Sequence, residues 1–323
     1  MSTCLVTGSN GFIGLHLVEQ LLGLGNTVVA LRRNLIESEL IHGIIKNRHG
    51  IYIPVSGDIL DRSIISELFS KYHFDEVYHL AGQSSPPLSW KQPAETMEIN
   101  FSGTVNILEG ALKADTNPFI VLVSSSAIYS PQKDETPLKE SGECKPITPY
   151  GISKLAMDQL ASIYSAGFGM KVISARPFFV IGPGKLNDVC SDWGRNIVLI
   201  EQGKLSSLSV GMIEGIARDF LSVHDAVSAL IKIAKKGIPG EAYNICSGNA
   251  ILLSDVLKFL KNNASTYITV EVDKSKFRPI EELIKVGNND KLLSMGWIPT
   301  DNIENCLLGI LDYWRKNLLT KII

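Results

Sequence analysis

None of the five cysteines (Cys4, Cys144, Cys190, Cys246, Cys306) pairs with another in a C-x-x-C spacing. An odd, scattered set excludes a disulfide framework and a cysteine zinc centre, and it fits a reducing compartment. No metal site is expected. An excess of one charge is also lacking: 31 Lys and Arg stand against 33 Asp and Glu, a net charge of −2. Neither nucleic acid nor an anionic membrane is therefore an expected partner, although a few placed arginines suffice for a small anion. No uncharged apolar run reaches the length of a membrane span. The first residues read directly as a strand without a basic or cleavage signature, so a cytoplasmic protein is the expectation. What remains is ordinary globular composition, 45% hydrophobic and 20% charged over 323 residues. That suits one large domain or two modest ones.

Short β-rich runs alternate with helical spacing through the first half. The runs are Cys4–Thr7, Thr27–Leu31, Ile51–Val55, Glu76–Leu80, Phe119–Ser124 and Lys171–Ala175. Phe12, Leu15, Leu17, Val18, Leu21 and Leu22 form the apolar face of a helix that Gly23 and Gly25 end. Asn100–Leu112 and Gly151–Phe168 read as further helices. The alternation predicts an α/β protein with a parallel sheet covered on both faces. After Pro177 the chain is irregular. Helices are expected near Asp192–Gln202 and over Asp225–Lys235, Leu253–Asn262 and Ile303–Leu318, with a strand at Glu241–Ile245. Such long excursions from a sheet usually carry substrate.

Thr7-Gly8-Ser9-Asn10-Gly11-Phe12-Ile13-Gly14 follows the first strand and opens the first helix. Glycines there permit a tight turn and close backbone approach to a pyrophosphate. The helix N-terminus adds N–H groups and the positive end of its dipole. The second strand ends in Arg32-Arg33, where sites specific for NAD commonly place an acid. Guanidinium groups would bind a 2′-phosphate by charged hydrogen bonds, which favours NADP(H) over NAD(H). Asp58 and Ile59 end the third strand, and Asp58 is placed to hold the adenine amino group. Leu80-Ala81-Gly82 ends the fourth, where small residues let the backbone pass close to the cofactor.

Tyr-x-x-x-Lys occurs twice. Pro131 lies inside Tyr129–Lys133 and disfavours a helix there. Tyr150–Lys154 opens a helix, on which residues four apart are neighbours. A lysine ammonium in that position favours tyrosinate and brings the phenol toward neutrality as a proton donor and acceptor. Ser124-Ser125-Ser126 ends the fifth strand, at the edge where open α/β sheets bind ligands. A hydroxyl there can hydrogen-bond the oxygen that interconverts between alcohol and ketone.

Thr7–Gly14, Ser124–Ser126 and Tyr150–Lys154 resemble the extended short-chain dehydrogenase/reductase family, the nucleotide-sugar epimerases, dehydratases and ketoreductases. The resemblance spans essentially the whole chain. Arg176-Pro177-Phe178, Gly182-Pro183-Gly184, Arg218-Asp219-Phe220, Tyr243–Gly248 and Met295–Pro299 also match family patterns. Phe277-Arg278-Pro279-Ile280-Glu281 is more specific. It resembles the branch that holds GDP-mannose 4,6-dehydratase and GDP-4-keto-6-deoxy-mannose reductase.

The resemblance implies a Rossmann-type doubly wound parallel sheet over residues 1–176, rejoined around 219–247, with a smaller mixed α/β substrate lobe over 177–323. It implies Tyr150 as acid/base, Lys154 as ribose ligand and tuner of Tyr150, and Ser125 as holder of the sugar oxygen. Ser125 is preferred because the family's Ser/Thr stands four residues before the tyrosine matched by Tyr129. Gly8, Asn10, Gly11, Phe12, Ile13 and Gly14 would cradle the cofactor. Arg218 and Arg278 would clamp a nucleotide diphosphate, with Ser84, Ser85 and Ser126 lining the sugar pocket. A homodimer through the helices Asn100–Leu112 and Gly151–Phe168 is also implied, although their apolar residues serve packing on the sheet equally well.

Dehydratases of the family place a glutamate two positions after the catalytic Ser/Thr, and here that position is Ala127. Alanine transfers no proton, which disfavours 4,6-dehydration. Ser130, Phe179 and Met212 also depart from the residues usual in the family or branch. Ketone reduction and 4-epimerisation remain; the arginine pair favours a 4-keto reductase, and the branch resemblance implies a GDP-(6-deoxy)-4-keto-hexose as its substrate. A non-catalytic dinucleotide sensor or scaffold would not require the Ser125–Tyr150–Lys154 set.

Overall fold

Cys4 and Val6 of the first strand pack into one apolar cluster and Leu5 into another, and all three are fully buried. Val28 and Ala30 alternate with Val29 and Leu31 in the same way along the second. Apolar residues on both faces of a strand require cover on both faces of the sheet. The computed structural model describes residues 1–33, 48–114, 116–277 and 282–319.

The strands β1 (Thr3–Thr7), β2 (Thr27–Arg32), β3 (Ile51–Ser56), β4 (Glu76–His79), β5 (Phe119–Val123) and β6 (Val172–Pro177) build the main sheet. The strand Ala242–Ile245 completes it beside β6. The spatial order runs Ala242–Ile245, β6, β5, β4, β1, β2, β3, and every pairing is parallel. The chain order reverses between β1 and β4, which opens a crevice at their carboxyl ends. Pro54 lies in β3, an edge strand, where a missing N–H is tolerated.

Helix α1 (Phe12–Gly23) and the helix Val223–Lys236 share the cluster on one face. The helices Arg62–Lys71, Gly103–Leu112 and Pro149–Phe168 cover the other. A third cluster joins Trp193 and Ile197 of the helix Val189–Glu201 to Leu307, Ile310 and Leu311 of the helix Ile303–Leu319. Among the described residues, three small sheets, of two or three strands each, lie beyond β6 in the chain.

Two elements differ from the sequence expectation in an informative way. The helix expected at Asn100 is broken into a short helix Pro93–Met97, a π-helical turn Glu98–Ser102 and the helix Gly103–Leu112. The helix expected near Asp192 begins at Val189, because the Asp188 carboxylate accepts the N–H groups of Cys190 and Ser191. Among the described residues no helix is long and apolar enough to cross a membrane.

Candidate active site

The glycine loop joins β1 to α1 at the sheet's carboxyl edge. Gly8 has φ +68°, and a Cβ there would lie 2.8 Å from the Ala81 nitrogen at the end of β4. A Cβ on Gly14 would meet the Gly8 carbonyl oxygen. The loop therefore closes only as glycine at these positions. No side chain caps α1 at Gly11, and Asn10 and Gly11 are exposed, so the start of the helix faces outward for an anion.

At the end of β2 the two arginines diverge. Arg33 is exposed, while Arg32 is 2% exposed, and none of its three guanidinium nitrogens has a hydrogen-bond partner among the described residues. A buried cation without partners is costly, and an anionic group would satisfy it. Asp58 accepts the Leu60 N–H at 2.9 Å. The Ile59 side chain is buried against Gly103. The orphaned Arg32, the glycine loop and the open helix start together fit a dinucleotide that carries phosphate groups.

Tyr150 and Lys154 lie on the first turns of the helix Pro149–Phe168. Thr148 accepts the Gly151 N–H at 2.9 Å, Pro149 occupies the first helical position, and Gly169 ends the helix at φ +67°. Tyr150 is 8% exposed and Lys154 is 4% exposed. Ser125 caps the short turn Ser126–Ile128 and accepts the Ala127 N–H at 3.1 Å. Its hydroxyl faces the Tyr150 phenol and favours the phenolate. The Lys154 ammonium donates to the Val123 carbonyl, at the end of β5, at 2.8 Å. A Cβ on Gly82 would lie 3.6 Å from that ammonium, which places the end of β4 against the catalytic helix.

Burial dominates the electrostatics of the pair. Burial raises the Tyr150 pKa, and the Ser125 hydrogen bond opposes that rise. The Lys154 ammonium is directed to the Val123 carbonyl, one helical turn from the phenol. Burial lowers Lys154 itself to about 8. Among the described residues, no carboxylate hydrogen-bonds Ser125, Tyr150 or Lys154.

The remaining expected residues are placed variously. Ser126 is buried in the turn after Ser125, and Ser84 is exposed. The Ser85 hydroxyl accepts the Leu88 N–H at 3.3 Å and caps the helix Pro86–Lys91. Arg218 is 5% exposed and donates to the carbonyls of Ala217 and Leu283, with its guanidinium over the Phe179 ring. Arg278 lies outside the described residues. The second Tyr-x-x-x-Lys does not form a helix over its length. Tyr129 is instead buried, donating to Asn244 and accepting from Arg176.

Asn100, which the sequence pattern does not single out, ties the end of β4 to the helix of Tyr150 and Lys154. Its carbonyl accepts the Gln83 N–H at 2.7 Å, and its amide donates to the Gln83 carbonyl and to Ser153. The side chain is held there from the π-helical turn, a distortion frequent at functional sites.

A glycine-loop Rossmann sheet with Ser125, Tyr150 and Lys154 gathered at its carboxyl edge defines an NAD(P)-dependent enzyme of the short-chain dehydrogenase/reductase class. Comparison with known proteins narrows this. Residues 5–308 match the family model described as GDP-mannose 4,6 dehydratase. The chain is 30% identical over 317 residues to GDP-6-deoxy-D-mannose reductase of Pseudomonas aeruginosa, covering 97% of each chain. RMD from Pseudomonas aeruginosa, in complex with NADPH, superposes with a TM-score of 0.83 at 28% identity, covering 98% of this chain and all of that one. Thermus thermophilus UDP-glucose 4-epimerase, in complex with NAD, gives 0.85 at 25% identity over 97% and 99%. The chain belongs to the GDP-mannose 4,6-dehydratase family, within the extended short-chain dehydrogenases/reductases whose members include nucleotide-sugar reductases, dehydratases and epimerases.

Proposed function

We propose that the chain is an NADP(H)-dependent reductase that acts at C4 of a GDP-4-keto-6-deoxy-hexose. The observation that carries the cofactor preference is Arg32, a buried guanidinium whose nitrogens lack partners among the described residues at the end of β2. A 2′-phosphate supplies the acceptors that it lacks. The similarity to GDP-6-deoxy-D-mannose reductase supports the substrate class. Dehydration also needs an acid or base beside the catalytic serine, and Ala127 supplies none.

Gly8, Asn10, Gly11, Phe12, Ile13 and Gly14 would hold the cofactor, whose nicotinamide would supply a hydride for C4 when bound. Ser125 holds the ketone oxygen, and Tyr150 delivers its phenolic proton to that oxygen as the alcohol forms. The Lys154 ammonium lies one helical turn from Tyr150 and compensates the phenolate that results. Arg218 and Arg278 hold the diphosphate, residues 1–176 carry the cofactor, and residues 177–323 carry the substrate. Phe101, Ile152, Ile163 and Phe168 remain exposed on or beside the helices expected to pair two copies, and sedimentation tests that dimer.

The test supplies purified protein with NADPH and GDP-, CDP-, UDP- and dTDP-linked 4-keto-6-deoxy sugars, and follows loss of reduced-nicotinamide absorbance. Stoichiometric oxidation with the GDP sugar is expected. Absence of oxidation with all four would overturn the reading, and sugar interconversion without net oxidation would identify an epimerase. Arg32→Ala should weaken NADPH binding by ~10-fold or more, and NADH binding by much less, in a fluorescence titration.

A further inference from the structure

His79 ends β4 and is fully buried between two threonines, with Thr7 Oγ1 at 2.8 Å from Nδ1 and Thr104 Oγ1 at 3.0 Å from Nε2. Counting protons fixes the direction of both bonds. A threonine hydroxyl has one proton to donate. The Thr104 hydroxyl donates to the Asn100 carbonyl at 2.6 Å. Its oxygen must therefore accept from His79, which makes Nε2 the protonated nitrogen. On the other side, Thr7 Oγ1 accepts the Ala81 N–H at 3.1 Å. Its own proton then goes to Nδ1, which must be bare. The opposite tautomer leaves the Thr7 proton without an acceptor among the described residues. Burial, and the nearby Lys154 charge, also hold the imidazole neutral, at a pKa of about 3.

The bonds form a chain of one direction on each side of the ring. From Ala81 the donation passes through Thr7 to His79, and from His79 through Thr104 to the backbone of Asn100. Asn100 donates to Ser153 at 2.9 Å, and Ser153 donates to the Tyr150 carbonyl at 2.7 Å. Every side chain in it is at most 1% exposed. One end of the chain lies in the strand that enters the glycine loop, and the other in the first turn of the catalytic helix.

We propose that His79 is a positioning residue: a neutral imidazole, protonated at Nε2, that ties the cofactor loop to the helix carrying Tyr150 and Lys154. It touches neither cofactor nor substrate. Its kinetic consequence rests on the reduction proposed above, whereas its tautomer and its effect on cofactor affinity do not.

The test begins with 15N-histidine-labelled protein and long-range 15N–1H correlation between about pH 6 and pH 8. The His79 signal is assigned by its loss in His79→Gln. A neutral ring protonated at Nε2 across the range is expected. An imidazolium, or a ring protonated at Nδ1, overturns the proposal. His79→Leu removes both bonds, whereas His79→Gln retains one donor and one acceptor. His79→Leu should weaken NADPH binding ~10-fold and lower kcat between ~10-fold and ~100-fold with KM for the keto sugar little changed, the scale of a displaced catalytic group. His79→Gln should recover most of both. Unchanged affinity and kcat in His79→Leu, or equal losses in the two variants, overturns the positioning role. If His79→Leu does not fold, Thr104→Val removes the Nε2–H acceptor and carries the same measurements. A wild-type protein that binds NADPH but reduces none of the keto sugars refutes the proposed reaction alone. The tautomer and the affinities still decide the role of His79.

Discussion

Tyr150 and Lys154 share one helical turn but answer differently to burial. Burial raises the phenol and lowers the ammonium, so both neutral forms are favoured. Removing the phenol tests its role with the least disturbance. Tyr150→Phe should lower kcat by roughly 10²–10⁴-fold, the usual worth of a general acid, with NADPH affinity and circular dichroism unchanged. Near-normal turnover would contradict the assignment. Lys154 makes a prediction about stability. Its folded pKa of about 8 lies below the ordinary 10.5, so at neutral pH the fold carries a buried charge at a cost. Above about pH 8 the folded form gives up that proton while the unfolded form keeps it, and the cost disappears. Wild-type stability relative to Lys154→Met should therefore rise between about pH 8 and pH 10 in urea denaturation. A difference that is flat, or that falls, would refute the lowered pKa.

At the scale of elements, the glycine loop and the catalytic helix are built by opposite devices. The loop requires missing side chains, whereas the helix requires Thr148, Pro149 and Gly169 at its ends. Gly14→Ala places a methyl group against the Gly8 carbonyl oxygen and within 3.1 Å of the Ser9 Cα. Overpacking of this kind costs about 1–3 kcal/mol. Because the strain lies where phosphate would bind, NADPH affinity should fall by ~10-fold or more as the melting temperature drops. A variant that melts lower but binds NADPH normally would show that the loop is only structural.

Across the whole molecule, a buried polar network ties the catalytic helix to the sheet's far edge. Asp158 of the catalytic helix receives a two-point ion pair from Arg176 of β6, with bonds of 3.0 and 2.6 Å. Arg176 also donates to Tyr129 at 2.9 Å, and Tyr129 donates to Asn244 of the edge strand at 2.7 Å. Asn244 donates in turn to the Leu138 carbonyl. Removing one partner of a buried pair leaves the other charge uncompensated, at about 3–5 kcal/mol. Asp158→Asn should destabilise the protein by that order in urea, and a loss below about 1 kcal/mol would contradict a dry network.

The family, the sheet and the order of Ser125, Tyr150 and Lys154 along it follow from local sequence pattern. Apolar alternation sets the strands, glycine spacing sets the loop, and a spacing of four puts Tyr150 and Lys154 on one face, because each is a short-range property of the backbone. Longer-range choices were not legible. Asn100 reads as an ordinary helix residue until the π-helical turn turns it toward Gln83 and Ser153. His79 reads as the polar end of a short strand until Thr7 and Thr104 close on its two nitrogens. Pro131 already sets Tyr129–Lys133 apart in the sequence, but the burial of Tyr129 between Arg176 and Asn244 is not legible there. Sequence alone thus determined the family and the sheet that carries its glycine loop. Tertiary structure decided which way its protons point and how far burial moves its charges, because both depend on partners brought together from distant parts of the chain.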